Sequence, residues 1–465
     1  MYKLDAMITS LEISGFKTFT DFKIHFSPFV ALAGLNAVGK SNLFDAIQLL
    51  SDLADFDIRT AFSQQRGEAI ELFTADNTGG NVEEMKFAVE LLVDKTVKDK
   101  WGGEEQLKYT RLRYELCIKR VSDTRNVEKL VVTNESLAPI QKNSDGWYKK
   151  YVGSKDEYWR PPTSGGRVPF ISTKTEESTG LTTINLHQDR GSRGRPRPAS
   201  DLESTMLSSV TNTEFPHALA VRNEMMNWQF LQLNPSALRK SSSKYTFKQT
   251  MSPDGSDLAG AMFILKTENP NLLKHISRDM ARFVNDVVEI DVKEDETEKS
   301  YVIWIKDVDG KWFSSQVLSE GTLRLIALCY LKYAGTGGLI CFEEPENGIN
   351  PTRMTPLLKL LASMSTDFSQ QNTQLRQILV NTHSPKLIAV IENILKTENN
   401  SLTTRISVFL ARLSQHVSPS GKSKRTIITP VNQSGNVLPF TDENGIPDVE
   451  ISASTQSLKS YLEMA

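Results

Sequence analysis

Residues 34–41 read GLNAVGKS, and this stretch decides the fold. Residues 22–33 precede it and are predicted to be a strand that ends in a fully apolar run, whereas the apolar residues after Ser41 recur at helical spacing. A G-x-x-x-x-G-K-S motif between a strand and a helix is typical of a phosphate-binding loop. Its glycines let backbone N–H groups face an anion, Lys40 neutralises the phosphates, and Ser41 offers a hydroxyl to Mg²⁺. A chance glycine-rich turn is the alternative, which the flanking strand and helix disfavour.

A second chemical signal lies in residues 338–346, which read GLICFEEPE. Two adjacent carboxylates follow an apolar, buried strand in this motif. We therefore assign Glu343 to Mg²⁺ and Glu344 to a water molecule that attacks the γ-phosphate. In isolation, an acidic loop after a core strand is a reasonable alternative. The phosphate loop in the same chain makes that alternative the weaker one.

Residues 318–322 read LSEGT and stand directly ahead of an apolar helix. Ser319, Gly321 and the N-terminus of the helix form a second candidate anion site. Taken alone, this motif is an ordinary helix cap. His383 follows the apolar strand motif ILVNT and, taken alone, is a capping or core histidine.

The composition is that of a globular protein. The chain has 465 residues, of which 39% are hydrophobic and 24% charged, with a formal net charge of −2. This charge disfavours a uniformly basic nucleic-acid binder but permits local basic patches. No run approaches the roughly 20 apolar residues that cross a bilayer, and no leader pattern is visible, so we expect a cytoplasmic protein without membrane contact. Three distant cysteines indicate neither a disulfide framework nor a zinc site.

Apolar strands alternate with helices along the chain, which predicts an α/β fold with a mixed central sheet. Alternating strands before residue 140 predict an antiparallel β subdomain. No repeat and no long coiled coil are expected. We divide the chain into residues 1–140 with the phosphate loop and antiparallel strands, 141–215 as a polar, basic insertion or arm, 216–400 with a helical subdomain and the remaining motifs, and 401–465 with C-terminal strands and a tail.

The combination of motifs resembles the ABC-type ATPases, in the branch that contains the RecF, SMC-like and OLD families. Six segments carry this resemblance in one order: ITSLEISGFKTFTDFKIHF (8–26), GLNAVGKSN (34–42), DGSDLAGAMFIL (254–265), LSEGTLRLIAL (318–328), LICFEEPENGINP (339–351) and LVNTHSPKLI (379–388). The resemblance implies a P-loop fold of the ABC-ATPase type, with ATP and Mg²⁺ as cofactors.

The resemblance also implies roles for individual residues. Ser319 and Gly321 belong to a signature loop that reaches across a dimer to the γ-phosphate of the partner, and His383 is the switch histidine beside it. Nucleotide-binding positions are implied for Gly34, Asn36, Gly39, Lys40, Ser41 and Asn42, and metal-binding positions for Ser41 and Glu343.

Three positions depart from the general ABC pattern. Glu343 replaces the usual aspartate, as is frequent in the OLD-like branch. Asn350 stands where that branch often has histidine. No glutamine is clearly placed as the metal-sensing residue; Gln64 and Gln65 are candidates, and a solvated loop is the alternative for both.

A biological role is implied as well. OLD-type nucleases continue past the histidine into a TOPRIM domain, but the residues after His383 show neither its Glu-Gly element nor its DxD pair. The chain resembles ATPase subunits of bacterial anti-phage systems such as Septu or PARIS. This likeness implies an ATPase that forms a homodimer or higher homo-oligomer around ATP and regulates a separately encoded nuclease effector. The alternatives are a RecF-like DNA repair ATPase and a nucleotide-stabilised scaffold without turnover.

Three basic segments are candidates for DNA or RNA contact, because clustered cations bind phosphates regardless of base sequence. A solvated surface is the alternative for each segment. They comprise Arg190, Arg193, Arg195 and Arg197, then Arg239, Lys240, Lys244 and Lys248, and then Lys422, Lys424 and Arg425.

Overall fold

The structure is a computed structural model. It describes residues 6–76, 80–122, 127–141, 145–153, 159, 169–188, 196–199, 202–248, 250–335, 337–370, 374–397, 401–418, 421–432 and 453–454. The strands are β1 (Ala6–Ser14), β2 (Phe22–His25), β3 (Phe29–Ala33), β4 (Glu84–Val93), β5 (Thr96–Lys98), β6 (Glu104–Gln106), β7 (Arg111–Ser122), β8 (Glu128–Pro139), β9 (Ile171–Thr175), β10 (Thr182–Leu186), β11 (Arg197–Pro198), β12 (Gln229–Leu231), β13 (Ser242–Ser243), β14 (Val287–Asp295), β15 (Ser300–Asp307), β16 (Trp312–Ser314), β17 (Gly338–Glu343), β18 (Arg376–Thr382), β19 (Ile406–Ser418), β20 (Gly421–Asn432) and β21 (Ala453–Ser454). The α-helices are α1 (Lys40–Asp55), α2 (Ile58–Ser63), α3 (Gly146–Tyr151), α4 (Pro216–Met226), α5 (Pro235–Leu238), α6 (Leu258–Glu268), α7 (Asn271–Ala281), α8 (Glu320–Tyr333), α9 (Met354–Met364), α10 (Pro385–Thr397) and α11 (Ser401–Arg405).

An eight-stranded antiparallel sheet forms one layer of the molecule. Its strand order is β11-β10-β9-β8-β7-β4-β1-β2. Along β7, Leu112, Tyr114, Leu116 and Ile118 are buried at every second position, because successive side chains of a strand face opposite sides. The predicted antiparallel β subdomain is confirmed.

The described part of residues 141–215 extends this sheet, whereas its composition predicts an arm. Strands β9, β10 and β11 add to the β8 edge. Trp147 of α3 and Trp159 are buried in a cluster with Met7 and Leu92. Polar composition hides this contribution, since a few buried aromatic side chains anchor a segment that is otherwise rich in Ser, Thr and Gly.

A seven-stranded sheet holds the motifs. Its order is β12-β17-β18-β3-β19-β20-β21, with β12, β17, β18, β3 and β19 all parallel. Every residue of β3 and β18 is buried, as expected for parallel strands covered on both faces. The carboxyl ends of β3, β17 and β18 meet at one edge of the sheet, which is where ligands bind in α/β folds. The phosphate loop, Glu343 and His383 all follow these ends. The α/β class with a mixed central sheet is therefore confirmed.

The prediction of one strand over residues 22–33 is wrong in a specific way. Strand β2 pairs with β1 in the antiparallel sheet, and β3 pairs with β18 and β19 in the other sheet. Between them, Pro28 has no N–H for a ladder. The hydroxyl of Ser27 donates to the carbonyl of Phe29 at 2.6 Å. Strand β2 alternates apolar residues with Lys23 and His25, whereas β3 is continuously apolar, so the pattern also changes at this break.

The helical subdomain packs on the face of the seven-stranded sheet that lies opposite the eight-stranded sheet. Helices α6, α7, α8 and α9 share a second hydrophobic core with β14 and β15. Helix α8 begins at Glu320, so the LSEGT motif lies at its N-terminus. Within the described residues the longest helix, α1, has 16 residues, and the structure there contains no long coiled coil. None of the described helices combines the length and hydropathy needed to span a bilayer.

Candidate functional site

The GLNAVGKS loop connects β3 to α1 in a conformation that requires glycine. Ala37 and Gly39 have left-handed φ values of 63° and 94°, as in loops whose successive N–H groups form an anion nest. A Cβ atom at Gly39 would lie 2.0 Å from Oγ1 of Thr426. At Gly34, a Cβ atom would lie 2.7 Å from the carbonyl oxygen of Ala411. Both glycines thus give the loop room between neighbouring strands.

Lys40 lies inside this loop, with 6% of its surface exposed. Its ammonium donates to the carbonyl oxygens of Gly34 at 2.7 Å and Leu35 at 2.6 Å. Burial lowers the pKa of Lys40, and the negative charges of Glu344 and Glu346 oppose that shift. The cation is therefore already inside the cradle, held by groups that an anionic phosphate can replace.

The other predicted loop residues lie around Lys40. Asn36 is exposed and Ser41 is half-buried at the start of α1. The side-chain amide of Asn42 donates to Oγ1 of Thr18 at 2.8 Å. Thr18 lies between β1 and β2, so Asn42 ties the phosphate loop to the antiparallel sheet.

Glu344 and His383 are in direct contact. Nδ1 of His383 lies 2.6 Å from Oε1 of Glu344, and Nδ2 of Asn347 donates to Oε2 of Glu344 at 2.6 Å. The backbone N–H of Glu344 donates to the carbonyl of Asn381 at 2.9 Å. Glu344 adopts a left-handed φ of 48°, which is uncommon for a residue other than glycine and is concentrated at functional sites.

Sequence reasoning missed the third carboxylate of this edge. Glu346 has 4% of its surface exposed, and one of its oxygens accepts a hydrogen bond from the hydroxyl of Thr382. Burial raises the pKa of Glu346, an effect that the Thr382 hydrogen bond partly offsets. The EEPE motif contains Glu346, so the signal was present, but nothing in its spacing distinguishes a buried acid from a solvated one.

Arg66 is a second residue that sequence reasoning missed. Its Nη2 lies 3.6 Å from Oε1 of Glu343, and its Nε lies 4.0 Å from Oδ1 of Asp45. Asp45 also pairs with Lys17 at 2.7 Å. Arg66 stands in a loop without any pattern, and only the fold brings this cation to the predicted metal ligand.

The glutamine candidates flank Glu343. Nε2 of Gln65 donates to Oδ2 of Asp52 at 2.9 Å in a buried contact, whereas Gln64 is exposed. Gln232, which follows β12, is a third glutamine near Glu343 that no sequence motif indicates. A cavity of about 260 Å³ is lined by Asp45, Gln64, Gln65, Arg66, Gln232 and Glu343, among others.

Ser319 and Gly321 lie apart from this group. The hydroxyl of Ser319 accepts the N–H of Thr322 at 3.3 Å and caps α8. A Cβ atom at Gly321 would lie 2.4 Å from the carbonyl oxygen of Gly348, so α8 approaches the loop after β17 very closely. In the described residues, no hydrogen bond or ion pair joins Ser319 to the phosphate loop.

Ser41 and Glu343 offer a hydroxyl and a carboxylate oxygen, which are ligand types that a magnesium ion bound to a triphosphate accepts. Mg²⁺ usually takes one or two protein ligands and fills its remaining positions with phosphate oxygens and water. Among the described side chains, no group of three or more His, Cys, Asp or Glu residues could hold a metal ion by itself. Such an ion would therefore depend on the nucleotide.

Most described basic candidates already have partners or lie on open surface. Arg239 donates to the carbonyl of Leu318 at 3.0 Å, and Lys244 forms an ion pair with Glu294. The exposed candidates are Arg197, Lys240, Lys248, Lys424 and Arg425. Arg190, Arg193 and Arg195 lie outside the described residues, as does the side chain of Lys422.

Two family models match the chain, one on each side of the polar segment. Residues 7–190 match an AAA ATPase domain, and residues 216–389 match an AAA domain described as putative AbiEii toxin, type IV TA system. Each model covers less than half of the chain, and together the two matches support an AAA-type ATPase. The first match contains Lys40, and the second contains Ser319, Glu343, Glu344 and His383, so the two matches together cover the candidate site.

Solved structures similar to this chain include head domains of SMC proteins. The SMC head domain from Thermotoga maritima is 11% identical, with a TM-score of 0.39, over 92% of this chain and 100% of that one. A Pyrococcus furiosus SMC head with an extended coiled coil, bound to the C-terminal domain of ScpA, is 13% identical, with a TM-score of 0.43, over 91% and 96%. A Pyrococcus yayanosii SMC head with a coiled coil and joint is 11% identical, with a TM-score of 0.42, over 99% of each chain. No curated protein matches the sequence.

Proposed function

We propose that this chain binds ATP with Mg²⁺ and hydrolyses it. The observation that carries the proposal is the contact of Glu344 with His383, whose Oε1 and Nδ1 atoms lie 2.6 Å apart. Glu344 belongs to a cluster of carboxylates whose negative charge acts on the ammonium of Lys40. A carboxylate held in this way can orient a water molecule and accept its proton. Mg²⁺ held by Ser41 and Glu343 would polarise the phosphate oxygens.

Each of the chain's own residues then has a defined task. Lys40 exchanges its two loop carbonyls for phosphate oxygens. The backbone N–H groups of the loop, which carry no net charge, donate hydrogen bonds to the same phosphate. His383 holds the Glu344 carboxylate in one orientation, so Glu344 does not have to change rotamer before its carboxylate oxygen contacts the water.

A closed homodimer or higher homo-oligomer completes the site in this proposal. Ser319 is exposed and caps its own helix, while the phosphate loop of the same chain lies with Glu344 and His383. The exposed N-terminus of α8 can bind a phosphate group that is held by a second copy of the chain.

A mixing experiment tests the dimer directly. Lys40→Ala and Ser319→Arg should each abolish ATP turnover. A mixture of the two variants should regain part of it, because a mixed dimer contains one site with an intact Lys40 and an intact Ser319. If both residues act within one chain, the mixture stays as inactive as its components.

We further propose that nucleotide state controls a separately encoded nuclease in anti-phage defence. The resemblance to anti-phage ATPase subunits supports this, as does the match to a family model described as a putative AbiEii toxin of a type IV system. Co-purification of the neighbouring gene product, followed by nuclease assays with ATP, ADP and no nucleotide, tests it. A nuclease activity that ignores the nucleotide, or a neighbour that never binds, would contradict this role.

A further inference from the structure

A chain of hydroxyl groups lies beneath the phosphate loop and joins three distant parts of the sequence. Oγ1 of Thr18 lies 2.6 Å from Oγ1 of Thr426 on β20, and Oγ1 of Thr426 donates to the carbonyl of Val38 at 3.0 Å. The backbone N–H of Thr426 also donates to the carbonyl of Thr18 at 3.0 Å. Thr426 has 5% of its surface exposed.

Proton counting gives this chain of hydrogen bonds one direction. The Val38 carbonyl can only accept, so the single hydroxyl proton of Thr426 is committed to it. Thr426 must then accept the proton of Thr18. Thr18 in turn accepts from the Asn42 side-chain amide at 2.8 Å. Each hydroxyl therefore donates once and accepts once, so neither can turn away without breaking two bonds.

The orientation of the Val38 carbonyl is important because the same peptide bond carries the N–H of Gly39. That carbonyl and the Gly39 N–H belong to one planar trans peptide, so they point in opposite directions. Thr426 lies on the carbonyl side and holds it. The Gly39 N–H is thereby directed away from β20, and Gly39 immediately precedes Lys40 at the start of α1.

We propose that Thr426 is a positioning residue that holds the Val38–Gly39 peptide with its N–H directed at the bound phosphate. The loop is otherwise free to flip this peptide, because a flip changes φ of Gly39, and glycine adopts positive and negative φ values at little cost. A methyl group at Gly39 would lie 2.0 Å from the Thr426 hydroxyl, so the Thr426 side chain occupies the space that any side chain at position 39 would need. The inference rests on the proposed nucleotide binding.

Two substitutions at one position separate the hydroxyl from the shape of the side chain. Thr426→Val keeps the shape and removes the hydroxyl, whereas Thr426→Ser keeps the hydroxyl. Thr429→Val is a matched control on the same strand, since the Thr429 hydroxyl donates to Leu410 at 3.5 Å and does not touch the loop. Thr18→Val interrupts the same hydrogen bonds from the other side, should Thr426→Val not fold.

The first measurement is hydrogen exchange of residues 34–44 in the nucleotide-free protein. The second is the affinity for a fluorescent ATP analogue in EDTA, with Lys40→Ala as the reference for lost binding. We expect faster loop exchange and about tenfold weaker binding in Thr426→Val, because the Val38 carbonyl then loses its hydrogen-bond partner. Thr18→Val keeps that bond but removes the donor that fixes the Thr426 hydroxyl, so its losses should be in the same direction and smaller. Thr426→Ser and Thr429→Val should match the wild type.

Unchanged exchange and affinity in Thr426→Val, or equal losses in Thr429→Val, would overturn the role of Thr426. A failure of the proposed function looks different. In that case the wild type and Lys40→Ala take up the analogue equally, whereas the exchange measurement still decides whether Thr426 holds the loop.

Discussion

Nδ1 of His383 lies 2.6 Å from Oε1 of Glu344, although 39 positions separate the two residues in the chain. Glu344 follows β17 and His383 follows β18, and these neighbouring parallel strands end at the same edge of the sheet. The contact therefore follows from strand order. It gives the carboxylate a fixed partner beside the phosphate loop.

Glu344→Gln should keep nucleotide binding and lose turnover by about 10²- to 10⁴-fold, the usual share of a general base. The amide keeps the shape of the side chain but cannot accept a proton. Steady-state phosphate release and binding of a fluorescent ATP analogue measure the two effects. Glu83→Gln, at an exposed position just before β4, is the control; wild-type turnover in Glu344→Gln would remove Glu344 from this role.

His383→Ala and His383→Asn should differ from each other. The asparagine amide can take the place of Nδ1 and hold Glu344, whereas alanine cannot. We expect His383→Asn to retain more ATP turnover than His383→Ala, with similar nucleotide affinity in both. Equal turnover in the two variants would show that the hydrogen bond to Glu344 contributes nothing.

Nucleotide affinity should fall as the pH rises, and should do so below the pH at which an ordinary lysine loses its proton. Burial lowers the pKa of Lys40, so its ammonium deprotonates early and loses its attraction for phosphate. Titration with the ATP analogue in EDTA from neutral to alkaline pH measures this. Lys40→Arg remains charged throughout, so any affinity it retains should be flat over the same range.

Gly39→Ala should abolish nucleotide binding while most of the fold survives. Its φ of 94° disfavours any side chain, and the new methyl group meets the Thr426 hydroxyl. Gly310→Ala is the control, since that glycine also has a left-handed φ, of 81°, but open space around it. Thermal unfolding should show a larger loss for Gly39→Ala than for Gly310→Ala, because only the first adds a steric clash to the positive φ. Retained binding in Gly39→Ala would contradict the assigned loop geometry.

The unfolding free energy should depend on the protonation of Glu135. Burial raises the pKa of this carboxyl to about 7, against hydrogen bonds donated by the N–H groups of Met206 and Leu207 and by the hydroxyl of Tyr114. Between the ordinary carboxyl pKa and 7, the folded protein holds a proton that the unfolded chain has released. Its contribution to stability therefore decreases as pH rises through this range, by up to about 1.4 kcal/mol per pH unit, and levels off above 7.

Urea unfolding at several pH values from 5 to 8 measures this dependence. Glu135→Gln cannot titrate, so it should lack the part of the slope that Glu135 contributes. Its amide N–H groups would face backbone donors, and we expect it to be less stable than the wild type at low pH. Identical slopes in the two proteins would contradict the prediction.

Sequence patterns predicted the elements whose signals are local. The GLNAVGKS loop and the acids after β17 depend on residues adjacent in the chain, and the structure has them in the expected strand and helix context. The boundary between β2 and β3 was missed because only residues 26–28 separate the two strands, and their different sheet partners are decided by packing rather than by local sequence. Likewise, residues 141–215 are polar on average, and their few buried aromatic side chains carry little weight in a composition.

The amino-acid sequence by itself determined the α/β class, the phosphate loop and the pair Glu343–Glu344, because each is written in short motifs with their own backbone requirements. Only the tertiary structure decided which residues surround them. Thr426 meets the loop from 388 positions beyond Val38, and Arg66 reaches Glu343 from an unpatterned turn. Such contacts are set by strand order and packing, which bring together side chains that have no shared spacing in the chain.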